Sequence, residues 1–153
     1  MIWTIGIASA LCLAAMAAIV VLDEATRIIP RELCWALAAA GALLQICIGG
    51  VANVVVGMVW GMAVCSVAVV SRWLVDRRRS DGRSSLGGGD VRCMAALSLA
   101  TGPGAPVGFA ACFAAASLWA VIARTRGRLK TGEAFAFAPF LALWLMVGVL
   151  VVI

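Results

Sequence analysis

Long uncharged, apolar stretches alternate with three short polar stretches along this chain of 153 residues. The uncharged stretches cover residues 1–22, 33–71, 93–123 and 134–153. A helix needs about 20 residues to cross the roughly 30 Å hydrocarbon core of a bilayer, so the first and last stretches each match one span. The pattern predicts an all-α membrane protein.

Each of the two longer stretches contains a break that divides it into two helices. The stretch 33–71 would form a single helix about 58 Å long, nearly twice the hydrocarbon thickness. Gly49, Gly50 and Asn53 favour a turn within it. In the second, two glycines and two prolines within residues 101–106 disfavour a continuous helix. We therefore predict one domain over 1–153, a bundle of about six transmembrane helices near 2–22, 33–49, 52–72, 88–102, 105–123 and 134–153.

The positions of the basic residues predict the orientation of these helices. All 12 Lys and Arg lie in the polar stretches 23–32, 72–92 and 124–133, and cytoplasmic loops carry an excess of such residues. If the three stretches are cytoplasmic, an even number of spans separates each from the next. We expect a multi-pass protein of the inner (plasma) membrane, with both termini on the non-cytoplasmic side and anionic lipid headgroups at the basic loops.

Tryptophan and glycine positions agree with helices in a bilayer. Trp60 and Trp144 lie within predicted helices, and we expect both to be buried packing residues. Gly57 and Gly61 form a G-x-x-x-G pair, which lets helices pack closely within the monomer or in a dimer, so the oligomeric state stays open. Four tryptophans lie near predicted helix ends, where an aromatic belt is expected: Trp3, Trp35, Trp73 and Trp119.

Composition limits the chemistry that the chain can perform. Hydrophobic residues make up 65% of it and charged residues 12%, about half of what a soluble domain carries. The chain has no histidine and no tyrosine, which excludes Ser-His-Asp catalysis and histidine-ligated metals. Its six cysteines show no C-x-x-C spacing and act as small hydrophobic residues inside helices. No cofactor, metal or nucleic-acid partner is predicted.

Two acidic residues stand apart from the rest because they lie at the ends of predicted helices. Asp23 follows the first apolar run, and Asp90 follows Gly87, Gly88 and Gly89 at the start of the fourth helix. The other acids share loops with basic residues and are interpreted as their solvated partners: Glu24, Glu32, Asp76, Asp81 and Glu133.

A carboxylate near the membrane interior has either a structural or a functional explanation. Asp90 can cap the N-terminus of its helix, where free N–H groups and the helix dipole favour negative charge. Alternatively it is functional, because insertion of a charge at a helix centre costs about 2.5–3.5 kcal/mol. The three glycines before it favour the second reading, since they let an extended peptide approach closely. Held close together, Asp23 and Asp90 would form an aspartic-protease pair in which one carboxyl is protonated and the other activates water.

Three segments resemble motifs of the type IV prepilin peptidases, in the order in which that family has them. The segment from Asp23 to Pro30 is similar to an Asp-x-x-x-x-x-Ile-Pro motif, with Ile29 before the proline. Residues 87–92 resemble the family's G-x-G-D-x-[KR] signature, with Arg92 at its end. Residues 137–143, which include Pro139, are similar to its Pro-Phe-x-Pro-Phe-Leu-x-Leu helix. The chain departs from the family pattern at Arg31, often Asn, and at Phe135 and Ala136, which stand in place of a proline.

The resemblance implies a membrane aspartic endopeptidase that removes the basic leader from prepilins or pilin-like proteins on the cytoplasmic side. Asp23 and Asp90 would be its catalytic pair. The chain is similar to the short members that lack the methyltransferase region. The alternative is a non-enzymatic polytopic membrane protein, such as a small transporter, a pilus-assembly scaffold or an inactive paralogue. A transporter would be expected to keep polar groups near mid-membrane or to show an inverted repeat, and apart from Gln45 and Asn53 the apolar stretches offer little of this.

Overall fold

A computed structural model describes residues 2–78, 87–127 and 136–152 of the chain, and these residues are almost entirely helical. No strand occurs within the described ranges. The helices are α1 (Ile2–Thr26), α2 (Arg31–Arg78), α3 (Gly88–Thr101), α4 (Ala105–Thr125) and α5 (Ala138–Leu150), and a single 3-10 turn, Gly102–Gly104, joins α3 to α4.

The helix α2 reverses direction at its two central glycines. Gly49 (φ −135°, ψ 15°) and Gly50 (φ 72°, ψ −164°) both leave helical geometry. A residue with a side chain rarely adopts the positive φ of Gly50, so glycine permits the turn. The break lies where the sequence predicts it. It divides α2 into a first arm, residues 31–48, and a second arm, residues 51–78.

The helix α3 packs along both arms of α2. On the first arm, a methyl group added to Gly41 would lie 2.5 Å from the Ala100 Cα. On the second, methyl groups added to Gly57 and Gly61 would lie 2.6 Å from the Ser98 carbonyl oxygen and 3.5 Å from that of Ala95. Residue numbers on the second arm therefore rise as those on α3 fall, and the arm is antiparallel to α3. The G-x-x-x-G pair packs within the monomer.

A buried amide fixes the reversal of α2 against the end of α3. Gln45 is fully buried, and its Nε2 donates to the Ala100 carbonyl at 2.7 Å. Its Oε1 accepts from Asn53 Nδ2 at 3.1 Å, which links the two arms across the turn. Because an unpaired amide in an apolar interior is costly, these two bonds favour one register of the hairpin.

The helices α4 and α5 form a second, antiparallel pair held by close backbone contact. Gly104 packs directly against the Gly148 carbonyl, and Gly108 against Trp144. Trp144 is fully buried, as expected, and its ring meets Phe109 edge to face at 5.3 Å. The prediction for Trp60 was wrong, because its side chain is 39% exposed. Trp60 lies on the second arm of α2 and Trp144 on α5. Both of these helices are apolar on all sides, so the sequence pattern does not distinguish a lipid-facing tryptophan from a core one.

Among the described residues, three helical stretches are long and apolar enough to cross a membrane: Trp3–Thr26, Arg31–Ser71 and Gly88–Thr125. The second contains the reversal of α2, the third contains the 3-10 turn, and α5 is shorter. The count of six spans and the orientation of the termini stay predictions. Every charged side chain that the structure describes lies at one end of the bundle, where α1 ends and α3 and α5 begin, which we call the polar end.

Candidate active site

The first predicted residue, Asp23, lies in the last turn of α1 and not at its end. The helix continues to Thr26, one turn beyond the predicted boundary, because the Thr26 hydroxyl donates to the Leu22 carbonyl at 2.8 Å and the Arg27 N–H to the Asp23 carbonyl at 2.9 Å. Arg27 then takes a positive φ of 57° and ends the helix. Asp23 is 6% exposed, so its carboxylate points into the bundle.

The Asp23 carboxylate is held by the N-terminus of α5. Its Oδ2 accepts a hydrogen bond from the Ala138 N–H at 3.2 Å, although the two residues are far apart in the sequence. Pro139 follows within the first turn of α5, where its fixed φ suits the start of a helix and its missing N–H costs nothing. Because the N-terminal end of a helix carries partial positive charge, this position stabilises a carboxylate.

The second predicted residue, Asp90, lies in the first turn of α3. Gly87 is the N-cap residue of α3, and its backbone lies beside the Asp90 carboxylate. Asp90 is the third residue of the helix, the position from which the acid of a capping box reaches back towards the N-cap. The helix dipole also favours negative charge at this first-turn position.

The three glycines before Asp90 differ in how much space surrounds them. A methyl group on Gly87 would lie 3.0 Å from Asp90 Oδ2, and one on Gly89 would lie 3.0 Å from the Cβ of Ile29. A methyl group on Gly88 would meet nothing within 4 Å. A methyl group would thus be tightly packed at the outer two glycines and unhindered at the middle one, which matches a G-x-G pattern.

Both carboxylates line one open cavity of about 280 Å³ at the polar end. The charge on Asp23 lies close enough to act on Asp90. The three glycines, Arg27 and Arg92 also line the cavity. Within the described ranges, no three His, Cys, Asp or Glu side chains are grouped as a metal site would need. The open cavity is large enough to hold water molecules beside two acidic groups.

A model of the type IV leader peptidase family matches residues 10–124 of the 153. The chain belongs to this family. It is therefore a leader-peptidase-like protease, and the family together with the apolar helices indicates a membrane-embedded protein. The match includes the positions of Asp23 and Asp90 and ends before Pro139. No curated protein and no solved structure gives a significant match to the chain.

The structure brings most of the predicted motif residues to this cavity. Asp23, Ile29, Arg92 and the segment 87–90 line it. Pro30 and Pro139 do not, and Pro139 is connected to the site only through its neighbour Ala138, whose N–H contacts Asp23.

Sequence reasoning missed the Ala138 N–H, because a backbone donor has no side-chain signature. The position of Pro139, typical of a first helical turn, is the one signal that could have indicated it. Sequence reasoning also missed Arg27 and Ile28, which line the cavity between two motif residues and carry no signal of their own.

Proposed function

We propose that the protein is an aspartic endopeptidase that cleaves the basic leader from type IV prepilins or pilin-like proteins, with Asp23 and Asp90 as its catalytic pair. The observation that carries the proposal is the convergence of the two carboxylates, one from α1 and one from α3, on one cavity that three glycines also line. Membership in the leader peptidase family supports the substrate class.

The mechanism needs one carboxyl protonated and the other ionised, a state that two neighbouring carboxyls favour because both do not ionise easily together. The ionised carboxylate takes a proton from a water molecule, and the oxygen of that water attacks the carbon of the peptide carbonyl group. The protonated carboxyl donates to the carbonyl oxygen. When the tetrahedral intermediate collapses, the C–N bond breaks, and a carboxyl delivers a proton to the leaving amine. The outcome is a free carboxyl on the leader and a free amine on the mature pilin.

The location of the cavity suits a substrate whose cleavage site directly precedes an apolar helix. Asp23 and Asp90 lie at helix ends, next to the exposed charged residues of the polar end and not at the middle of the bundle. A substrate helix lying in the bilayer beside the enzyme therefore presents the start of its apolar segment at the depth of the cavity. The basic residues at the same end favour a cytoplasmic location for the site in the inner membrane.

The test is cleavage of a pilin-like substrate by the detergent-solubilised protein carrying Asp23→Asn or Asp90→Asn. We expect each variant to lose at least about a hundredfold in kcat/KM, because each removes a proton-transfer group. The matched control is Glu24→Gln, which removes an exposed acid beside Asp23. Thermal unfolding of each variant reports whether the fold is retained. Parental activity in either aspartate variant, or an equal loss in Glu24→Gln, would show that the assignment is wrong.

A further inference from the structure

A second groove lies beside the catalytic cavity, between the first arm of α2 and α3. Its volume is about 250 Å³, and Arg92 lines both it and the catalytic cavity, so the two are adjacent. We call it the α2–α3 groove and define it by the residues that the argument uses: Arg31, Trp35, Ala38, Arg92, Ala95 and Leu99.

The groove is polar at one end and apolar along the rest of its length. Arg31 and Arg92 lie at the polar end of the bundle, and both helices run from there towards its opposite end. From Arg31 to Ala38, and from Arg92 to Leu99, each helix advances about 10 Å. The side chains along this length are apolar, and Ala38 and Ala95 leave space where larger residues would fill it.

The two arginines are available to a further anion. Arg31 approaches Glu32 at 3.6 Å, but both side chains are at least 70% exposed, and an exposed pair of this kind contributes little. In the described ranges Arg92 forms no ion pair. Trp35, 71% exposed, stands beside them, and tryptophan is enriched at the depth of lipid headgroups.

We propose that the α2–α3 groove binds one anionic glycerophospholipid, with its phosphate between Arg31 and Arg92 and an acyl chain along Ala38, Ala95 and Leu99. Guanidinium groups bind phosphate through directed hydrogen bonds, and two of them match the negative charge of the headgroup. The apolar length below them matches hydrocarbon and not a soluble anion. A bound lipid would place its headgroup beside the catalytic cavity, next to Asp90.

The binding test uses protein that carries both Asp23→Asn and Asp90→Asn, so that its outcome is independent of the proposed protease activity. The affinity for long-chain phosphatidylglycerol is measured by native mass spectrometry of the protein in detergent, with phosphatidylcholine of the same chain length for comparison. We expect tighter binding of phosphatidylglycerol. Arg31→Ala and Arg92→Ala should each weaken it about fivefold. Arg124→Ala removes one exposed charge at the end of α4, away from the groove. This control should change the affinity for phosphatidylglycerol by less than about twofold.

A second variant tests the apolar part of the groove without changing charge. Ala95→Leu places a larger side chain in the path of the acyl chain and should weaken binding of phosphatidylglycerol, and Ala38→Leu gives the same test from α2. The control is Ala110→Leu, at an exposed position on α4. Unchanged binding in both groove variants would overturn the proposal.

Three further results would also overturn it. Equal losses in Arg92→Ala and Arg124→Ala would mean diffuse attraction to the polar end. If inorganic phosphate competes with bound phosphatidylglycerol as strongly as further lipid does, the groove is an anion site that does not hold an acyl chain. If Ala95→Leu weakens binding of a pilin-like substrate and leaves lipid binding unchanged, the occupant of the groove is the substrate.

Discussion

Adding one methyl group at Gly89 tests whether the contact between α3 and the Ile29 turn positions the proposed catalytic pair, Asp23 and Asp90. The new Cβ would lie 3.0 Å from the Cβ of Ile29, and an ordinary contact needs at least 3.4 Å. The Ile29 atom concerned lies next to the backbone and has no freedom to rotate away. The turn that follows α1 must therefore move relative to α3, and with it the separation of Asp23 from Asp90.

The size of the effect follows from two opposing terms. Alanine in a helix is favoured over glycine by about 0.8–1 kcal/mol, and Gly89 has no positive φ to strain it. Overpacking of this kind costs typically about 1–3 kcal/mol. The net change in the free energy of unfolding is thus small, between about zero and 2 kcal/mol of destabilisation. Catalysis is more sensitive, since a misplacement of about 1 Å can cost a hundredfold, and we expect a loss of about ten- to a hundredfold in kcat/KM.

The assay compares Gly89→Ala with Gly88→Ala, its neighbour in the same helical turn. A methyl group on Gly88 meets no protein atom within 4 Å, so this variant should leave the contact between α3 and Ile29 unchanged, lose less activity than Gly89→Ala and gain up to about 1 kcal/mol of stability. Both are measured by cleavage of a pilin-like substrate and by unfolding in mixed micelles titrated with SDS. Equal activity of the two variants would contradict this prediction, because it would show that the close contact with Ile29 does not position the site.

Further predictions concern the reaction and the packing. The rate of cleavage should fall at both low and high pH. The catalytic base is lost when both carboxyls are protonated, and the catalytic acid is lost when both are ionised. A rate that rises steadily with pH would contradict this prediction. Replacing all six cysteines with alanine or serine should leave the protein active in the same cleavage assay, because the proposed mechanism uses no thiol nucleophile. Gly104→Ala should destabilise the fold by about 1–3 kcal/mol through its contact with the Gly148 carbonyl, whereas Gly6→Ala, which meets nothing within 4 Å, should not. Gln45→Leu should cost about 1–3 kcal/mol in SDS unfolding, because it leaves the Ala100 carbonyl unpaired.

The class of the protein and the positions of its helix breaks follow from local features of the sequence. A long apolar run predicts a helix wherever it stands, and Gly49 and Gly50 predict the reversal of α2 because glycine alone adopts the required backbone freely. The G-x-G-D segment and the Asp23 segment are also local features, because each is a short run of consecutive residues. The family match supports the resemblance that they carry.

Side-chain burial was harder to predict, because membrane helices are apolar on both their lipid-facing and their core-facing sides. Trp144 and Trp60 have similar sequence surroundings, yet the first is fully buried and the second is 39% exposed. Periodicity, which separates core from surface in soluble proteins, carries little information here.

Local features of the sequence predict that the chain is helical and apolar, that its charges gather at one end of the helix bundle, and that Asp23 and Asp90 lie at helix ends. The packed structure adds that α1 continues past Asp23, that the Ala138 N–H contacts the Asp23 carboxylate, and that Gly87 and Gly89 are closely packed while Gly88 is open. These two kinds of feature differ in range. Backbone conformation at a glycine or a proline is set within a few residues, whereas the surroundings of a carboxylate depend on which distant helices pack against it.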